Sequence, residues 1–403
     1  MASFPWMSSP SLTRLFTALT DDPFQSTSTI RFVGGCVRDF LLERPWKDVD
    51  LATVLSPEAI ILKLQAAHIP FITPGILHGT ITALLDHRPF EITTLRKDLT
   101  SDGRHSQVEF INNWEEDAFR RDFTLNALFM DWTGHIYDFV GGITDLNKGY
   151  VRFVGDPAQR IQEDFLRILR FFRMYALYGK IPPKASVLNV IQTYVDKLST
   201  LSRERIHTEL FKILDAPHSE KSLYQMKECG VLKHLSPYFE IPSYFHYFAN
   251  QEALLKFASL LLQTETHLTA SDLKPLLLSS KDLKRVLDIL RHKPFLIDNE
   301  CLGFSSSFLF RTKFPLYQDL ILLKAGILRM EFSKVQALLT KAKGTFPHLI
   351  FPVTGQDLLN LGLEEGPLLG KILTATQEKW LETNCQLSKG DCLEFAKRLM
   401  EGP

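Results

Sequence analysis

Along the first third of the chain apolar residues come in short runs broken by turn residues, whereas beyond about residue 157 they recur three and four positions apart. Ile30 to Val33 is a short apolar run stopped by Gly34-Gly35, and Val37 to Leu42 continues at helical spacing, which predicts a strand, a tight turn and a helix. Ser56-Pro57-Glu58 supplies an N-cap, a proline at the first helical position and an early acid for a helix reaching about Ala67. Thr80 to Leu85 and Phe90 to Leu95 flank the short connection Asp86 to Pro89 and predict a hairpin. From Ala158 onward helical periodicity dominates, with loops marked by Ile181-Pro182-Pro183, Pro217, Pro237 and Phe346-Pro347. The pattern describes an α/β head followed by an elongated all-helical remainder, with no fixed-period repeat.

Composition narrows this. The 403 residues, 46 basic against 46 acidic side chains and 45% hydrophobic content suit a globular chain of two or more domains and exclude disorder and collagen-like repeats. No apolar run approaches the roughly 20 uncharged residues of a membrane span, since Lys256 and Lys324 cut the greasiest stretches. The amino terminus has one early arginine and no continuous apolar core, and Asp21-Asp22 follow closely, so neither a secretory signal nor a transit peptide is expected. Five scattered cysteines without a C-x-x-C pair argue for a reducing cytoplasm rather than a disulfide framework or zinc site. Net charge is zero, yet Lys148 to Lys212 holds twelve basic against six acidic residues. That stretch is either a solvated helical face or a surface for a polyanion.

Four clusters could carry chemistry. In Gly34-Gly35-Cys36-Val37-Arg38-Asp39 the glycines permit close backbone approach, the following helix offers free amide donors to an anion, and Arg38 adds a charge-assisted fork; the same sequence also serves as a plain turn. Strand alternation puts Asp48 and Asp50 on one face, where two carboxylates plus substrate phosphate oxygens suit magnesium, with Glu91 as a possible third; the alternative is a pair of exposed acids at a strand end. Arg120-Arg121-Asp122 with Asn126 can grip a triphosphate and a ribose hydroxyl, or form a structural ion pair capping a helix. Glu163-Asp164-Phe165-Leu166-Arg167, with Arg170 and Arg173, is expected on a single helix. There Asp164 and Arg167 either present acceptor and donor to a base edge or form an i to i+3 salt bridge.

Taken in order, GGCVRDFLL, KDVDLAT, EITTLRKD, DAFRRDFTLNAL, IYDFVGGITDLNKGYVRFVGDP, RIQEDFLRILRFFR and LSRERIHTEL resemble the class II branch of the polymerase-β-like nucleotidyltransferases, the bacterial CCA-adding tRNA nucleotidyltransferases and poly(A) polymerases. The resemblance spans about residues 30 to 214, and FPVTGQDLLNLGLEEGPLLG is more loosely similar to the tail of bacterial CCA-adding enzymes. It implies an α+β fold with a polymerase-β-like head built on a mixed sheet at 30–155, preceded by an extension at 1–29. A helical neck for base recognition would follow at 156–216, then a helical body and tail at 217–403 that bind tRNA. It further implies that Asp48 and Asp50 hold Mg2+ and are catalytic, that Gly35 and Arg38 meet the triphosphate, and that Arg121 and Asp122 contact phosphate and ribose. Asp164 and Arg167 would form an amino-acid template for the base, assisted by Arg170 and Arg173. Cys36 stands where alanine or valine is more usual, and Lys97 to Ser106, with Asp98 and Arg104, corresponds to a flexible loop used in switching from C to A addition.

The resemblance thus points to template-independent addition of C, C and A to the tRNA 3′ end from CTP and ATP, in the cytoplasm and with no obligate protein partner. Poly(A) addition, or partial CC-only or A-only addition, is the alternative. Leu77-His78-Gly79-Thr80 stands where a Gly-Arg-Arg-Phe-like signature of bacterial poly(A) polymerases is sought, which favours tRNA. A non-enzymatic RNA-binding helical protein would show damaged motifs, whereas both D-x-D acids and the motif arginines are intact. None of the twelve histidines precedes an aspartate, so the phosphohydrolase domain attached to some relatives is not expected.

Overall fold

The computed structural model describes residues 9–20, 29–45, 48–101, 106–298, 302 and 304–401. The chain divides after Pro237 into two compact units. The first holds a seven-stranded sheet built from β1 (Ile30–Val33), β2 (Asp50–Thr53), β3 (Phe71–Gly75), β4 (Thr80–Leu85), β5 (Arg88–Thr94), β8 (Leu128–Met130) and β9 (Ile136–Asp138). Their order is β3-β4-β5-β2-β1-β8-β9. Only β2 and β5 run parallel, so the sheet is mixed, as expected. A separate two-stranded ribbon pairs β6 (Arg96–Ser101) with β7 (Ser106–Phe110) over the segment expected as a flexible loop; Arg104 lies outside the described residues.

The predicted strand, turn and helix at the start of the head form as read. β1 is buried at all four positions, and the turn leads into α2 (Gly35–Leu41). Gly34 sits at φ 71°, ψ −116°, where a side chain would be strained, and its amide donates to the Leu128 carbonyl at 3.0 Å. Ser56 caps α3 (Pro57–Ala66) by accepting from the Ala59 amide, and the β4–β5 hairpin spans the predicted strands. Within residues 1–29 the structure shows a helix, α1 (Pro10–Leu19), that packs on the head. Its stripe of Leu12, Leu15, Phe16 and Leu19 is buried, with Phe16 4.9 Å from Phe32 and 4.7 Å from Trp132. Arg14 ties it to the carbonyls of Ala67 and His68.

The rest of the first unit is helical: α4 (Trp114–Phe119), α5 (Gly142–Lys148), α6 (Pro157–Glu163), α7 (Arg167–Tyr178), α8 (Ala185–Tyr194), α9 (Arg203–Asp215), α10 (Ser219–Glu228) and α11 (Val231–Leu235). α7 is fixed to the sheet region by fully buried rings, Phe171 stacking on Phe153 at 5.4 Å and both meeting Phe123. Residues 163–173 do not form the single helix expected. α6 ends at Glu163, and Asp164 turns extended, at φ −156°, ψ 109°. Its carboxylate accepts from the Leu166 amide at 3.0 Å, a local bond that competes with helical pairing and lets α7 start afresh at Arg167.

Among the described residues, every regular element of the second unit is a helix. Its longest helix, Ser306–Ile327, is kinked at Lys313 (φ 65°) just ahead of Pro315, which cannot sustain the helical hydrogen-bond ladder. Buried Asp319 is forked by Arg285, which also reaches Glu252. At the carboxyl end Val353, Leu358, Ile372, Trp380, Leu381, Cys392 and Ala396 form a separate core. Cys36, Cys229, Cys385 and Cys392 are free thiols, and Cys301 lies outside the described residues. No helix among the described residues is long and apolar enough to cross a membrane.

Candidate active site

One cavity of about 620 Å³ opens in the first unit, and the sheet, α2 and α7 all contribute to its wall. Of the sequence-predicted residues, Gly35, Arg38, Asp50, Arg121, Asp164, Arg167, Arg170 and Arg173 line it. Asp48 does not; it is exposed on the stretch leading into β2.

On the acidic side, parallel pairing of β2 with β5 sets Asp50 opposite Glu91, and both reach the cavity. The Asp50 side chain is open to water, so it is the surrounding protein wall, not full burial, that weakens its solvation. That desolvation comes first, followed by repulsion from Glu91 and Asp48, and Arg121 only partly offsets them; the pKa is pushed up to about 6. Among the described residues no three such side chains close into a cage around an ion. Like charges gathered at an open site, with all-oxygen donors, fit a hard divalent cation that keeps waters and takes further ligands from substrate phosphates. Behind them the Cys36 thiol is directed at the Val33 and Asp50 carbonyls, at 3.4 and 3.7 Å, and burial pushes its pKa to about 11, so it packs as an inert small side chain.

The basic side is held by three buried acids. Asp117, on α4, is 1% exposed, and its two oxygens clamp Arg120 at 2.7 Å and Arg121 at 2.8 Å while also receiving the Arg96 amide at 3.2 Å. Burial alone raises its pKa, but the two guanidinium groups prevail and hold it below the usual carboxylate value. Asp122 accepts the Arg170 fork, with Nε at 2.7 Å, on one oxygen and the Phe123 amide and Asn126 on the other. Here too burial raises the pKa and the Arg170 charge overrides it. Glu209, on α9, pairs with Arg173 at 3.1 Å. Arg38 is nearly buried, bonded to Asn126 and Asp39 and lying 4.4 Å from the centre of the Tyr178 ring. These cations are therefore oriented before any ligand arrives.

The i to i+3 salt bridge considered for Asp164 and Arg167 is not the arrangement found. Arg167 bonds Glu163 and the Arg160 carbonyl, whereas Asp164 receives Arg205 of α9 at 2.6 Å. Sequence reading assigned no role to Asp117, Arg96, Arg205 or Glu209. The spacing of Asp117 three and four residues before two arginines was a local signal for its clamp. Arg205 and Glu209 join the site only through packing of α9 against α7. Arg96 lines the cavity too; burial, then repulsion from Arg120, lowers its pKa to about 10.

Comparison with known proteins bears on this arrangement. The family model described as "Poly A polymerase head domain" matches residues 30–152, and that described as "Probable RNA and SrmB- binding site of polymerase A" matches residues 184–241. The chain is 32% identical to the mitochondrial CCA tRNA nucleotidyltransferase 1 of Mus musculus, across 97% of this chain and 93% of that protein. The chain belongs to the CCA-adding tRNA nucleotidyltransferase family. A CCA-adding enzyme from Streptococcus gordonii is 33% identical over 85% of this chain and 86% of its own length. The fold of the family recurs in the crystal structure of the Bacillus stearothermophilus CCA-adding enzyme in complex with CTP, with TM-score 0.76, 24% identity and coverage of 97% and 98% of the two chains. The polymerase-β-like head on a mixed sheet, followed by helices, is thus the architecture of a CCA-adding family member.

Proposed function

We propose that this protein adds C, C and A to the 3′ end of tRNA from CTP and ATP, without a nucleic-acid template. The observation that carries this reading is that one cavity brings together carboxylates, preset arginines and the polar wall of Asp164 and Arg167, in a chain of this family. In the reaction the tRNA 3′ oxygen forms a bond to the α-phosphorus as the bond to the leaving pyrophosphate breaks, and the hydroxyl proton is lost to solvent. Asp48 and Asp50, with Glu91 beside them, are the residues to hold Mg2+, which when bound supplies charge neutralisation to phosphate oxygens and lowers the pKa of the attacking hydroxyl. Gly35 leaves room for the triphosphate beside the α2 terminus. Arg38 and Arg121, fixed by Asn126 and Asp117, meet its charge without reorganising. Arg170 and Arg173 extend the same charge along α7 toward Asp164 and Arg167, which face the base. Free thiols fit a reducing compartment, and we place the protein in the cytoplasm; cell fractionation checks this directly.

Incubation with tRNA lacking its last three nucleotides, offering CTP and ATP separately and together, followed by product sequencing, tests the activity. Addition of CCA is expected; CC alone, A alone or a poly(A) tract each identifies the corresponding alternative. A second measurement addresses the base wall. Asp164→Ala is expected to blur choice among CTP, ATP, UTP and GTP in competition, each lost base contact being worth roughly 1–3 kcal/mol. Unchanged selectivity in both Asp164→Ala and Arg167→Ala, with melting near wild type, would move the specificity determinant elsewhere.

A further inference from the structure

Two hydroxyls in the cavity wall have no task in the chemistry above. Thr80 opens β4 and Thr93 lies near the end of β5; antiparallel pairing sets them opposite one another, and both line the cavity. Their side-chain oxygens are 3.0 Å apart. Each hydroxyl offers one donor and two acceptor sites, so the bond between them leaves a hydrogen and several lone pairs unused. Among the described residues neither hydroxyl bonds anything else. The neighbouring threonines differ. Thr53 and Thr94 are buried, and their hydroxyls donate to the Thr29 and Leu55 carbonyls, each at 2.8 Å.

The place of the pair in the sheet decides what it can meet. Asp50 stands on β2. The Gly34-Gly35 turn and Arg38 follow β1 on one side of it, and Thr93 and Thr80 occupy β5 and β4 on the other. Glu91 and Thr93 are two residues apart, share one face of β5 and both reach the cavity. Neighbouring strands lie about 5 Å apart, which puts the two hydroxyls within a nucleotide's reach of the acids. Phosphate on this side would meet Asp50 and Glu91 as like charges, whereas a neutral sugar would not. The pair is also fixed in place. Gly79, just before Thr80, sits at φ 76°, where a Cβ would come within 2.6 Å of Phe110; its amide donates to the Ile76 carbonyl and its carbonyl accepts the Thr94 amide, both at 2.9 Å.

We propose that the paired hydroxyls of Thr80 and Thr93 receive the terminal ribose of the tRNA through its 2′ hydroxyl, and so select an RNA end over a DNA end. This rests on the tRNA reading above and adds a sugar selectivity to it. The attacking 3′ oxygen has to reach the acids from the side that the triphosphate leaves open, and its neighbour on the same ring is the 2′ hydroxyl, which both donates and accepts. Two linked threonine hydroxyls offer the matching acceptor and donor.

The test uses full-length protein and tRNA lacking its CCA end, prepared with either ribose or 2′-deoxyribose at its last nucleotide, and follows addition of one C from CTP. Wild type is expected to favour the ribose end by about tenfold in kcat/KM, the size of one hydrogen bond lost in a partly enclosed site. In Thr80→Val with Thr93→Val, which keeps shape and strand preference, the ratio should fall to near one, and Thr80→Ser with Thr93→Ser should restore it. A cross-strand packing role alone would shift the melting temperature and leave the ratio as in wild type; that result overturns the proposal. The preference for CTP over dCTP should stay at its wild-type value. If that preference collapses while the tRNA-end ratio persists, the pair serves the incoming sugar and the proposal fails. Wild-type protein that extends neither tRNA overturns the functional reading itself, whereas equal extension of both overturns the sugar selectivity alone. Should the double valine variant melt well below wild type, Thr80→Val by itself carries the measurement, with the same outcomes deciding it.

Discussion

Asp50→Ala is expected to abolish nucleotide addition, by about a thousandfold or more in rate, while tRNA affinity stays near wild type. Asp50 is the D-x-D acid that reaches the cavity, beside Glu91 and within the field of Arg121, so on the proposed reading its loss removes charge where phosphate and cation would meet. Asp48→Ala, at the second acid of the proposed cation site, is expected to act in the same direction. Neither side chain belongs to the basic surfaces, which is why RNA binding should survive. Single-turnover addition of C to truncated tRNA, with anisotropy on the same preparations, separates the two effects. Near-wild-type turnover in either variant would remove that acid from the catalytic set.

Asp117→Ala is expected to destabilise the head by about 3–5 kcal/mol and to raise KM for nucleoside triphosphates in whatever fraction remains folded. The substitution leaves Arg120 and Arg121, both mostly buried, without their shared counter-charge, and it strands the Arg96 amide. Asp117→Asn keeps the shape but not the charge and should recover only part of the loss. A pH series gives the sign. The folded-state pKa lies below the ordinary 3.8, so the contribution is present above that value and is lost as pH falls through the folded-state pKa. Thermal melting of the three proteins across that range checks it; equal melting temperatures for wild type and Asp117→Ala would mean that the clamp contributes nothing.

Local signals carried far in this chain. The glycine stop after Ile30 to Val33, the Ser56-Pro57 cap, the β4–β5 hairpin and the helical period beyond Ala158 depend on neighbouring residues, and each formed where the sequence placed it. The break at Asp164 was missed because a helical spacing of charges looks the same whether or not an aspartate turns its carboxylate onto the Leu166 amide. α1 was overlooked although Ser9-Pro10 carries the same cap signal as Ser56-Pro57 and Leu12, Leu15, Phe16 and Leu19 recur at helical spacing; what the sequence could not show is that Phe32 and Trp132 cover that stripe.

What the sequence determined by itself was the set of chemical groups and the order in which the chain presents them: the Gly34-Gly35 turn, the D-x-D acids, the Arg120-Arg121-Asp122 run and the arginines of α7. Only the tertiary structure decided their partners. Asp164 meets Arg205, 41 residues away, and not Arg167; Asp122 meets Arg170, 48 residues away; Asp50 faces Glu91 across a parallel strand pair. Hydrophobic periodicity reports which face of an element is buried, but it carries no information on which buried face will lie opposite which. Long-range charge pairs form only after packing has brought helices and strands together, so their specificity is a property of the assembled core.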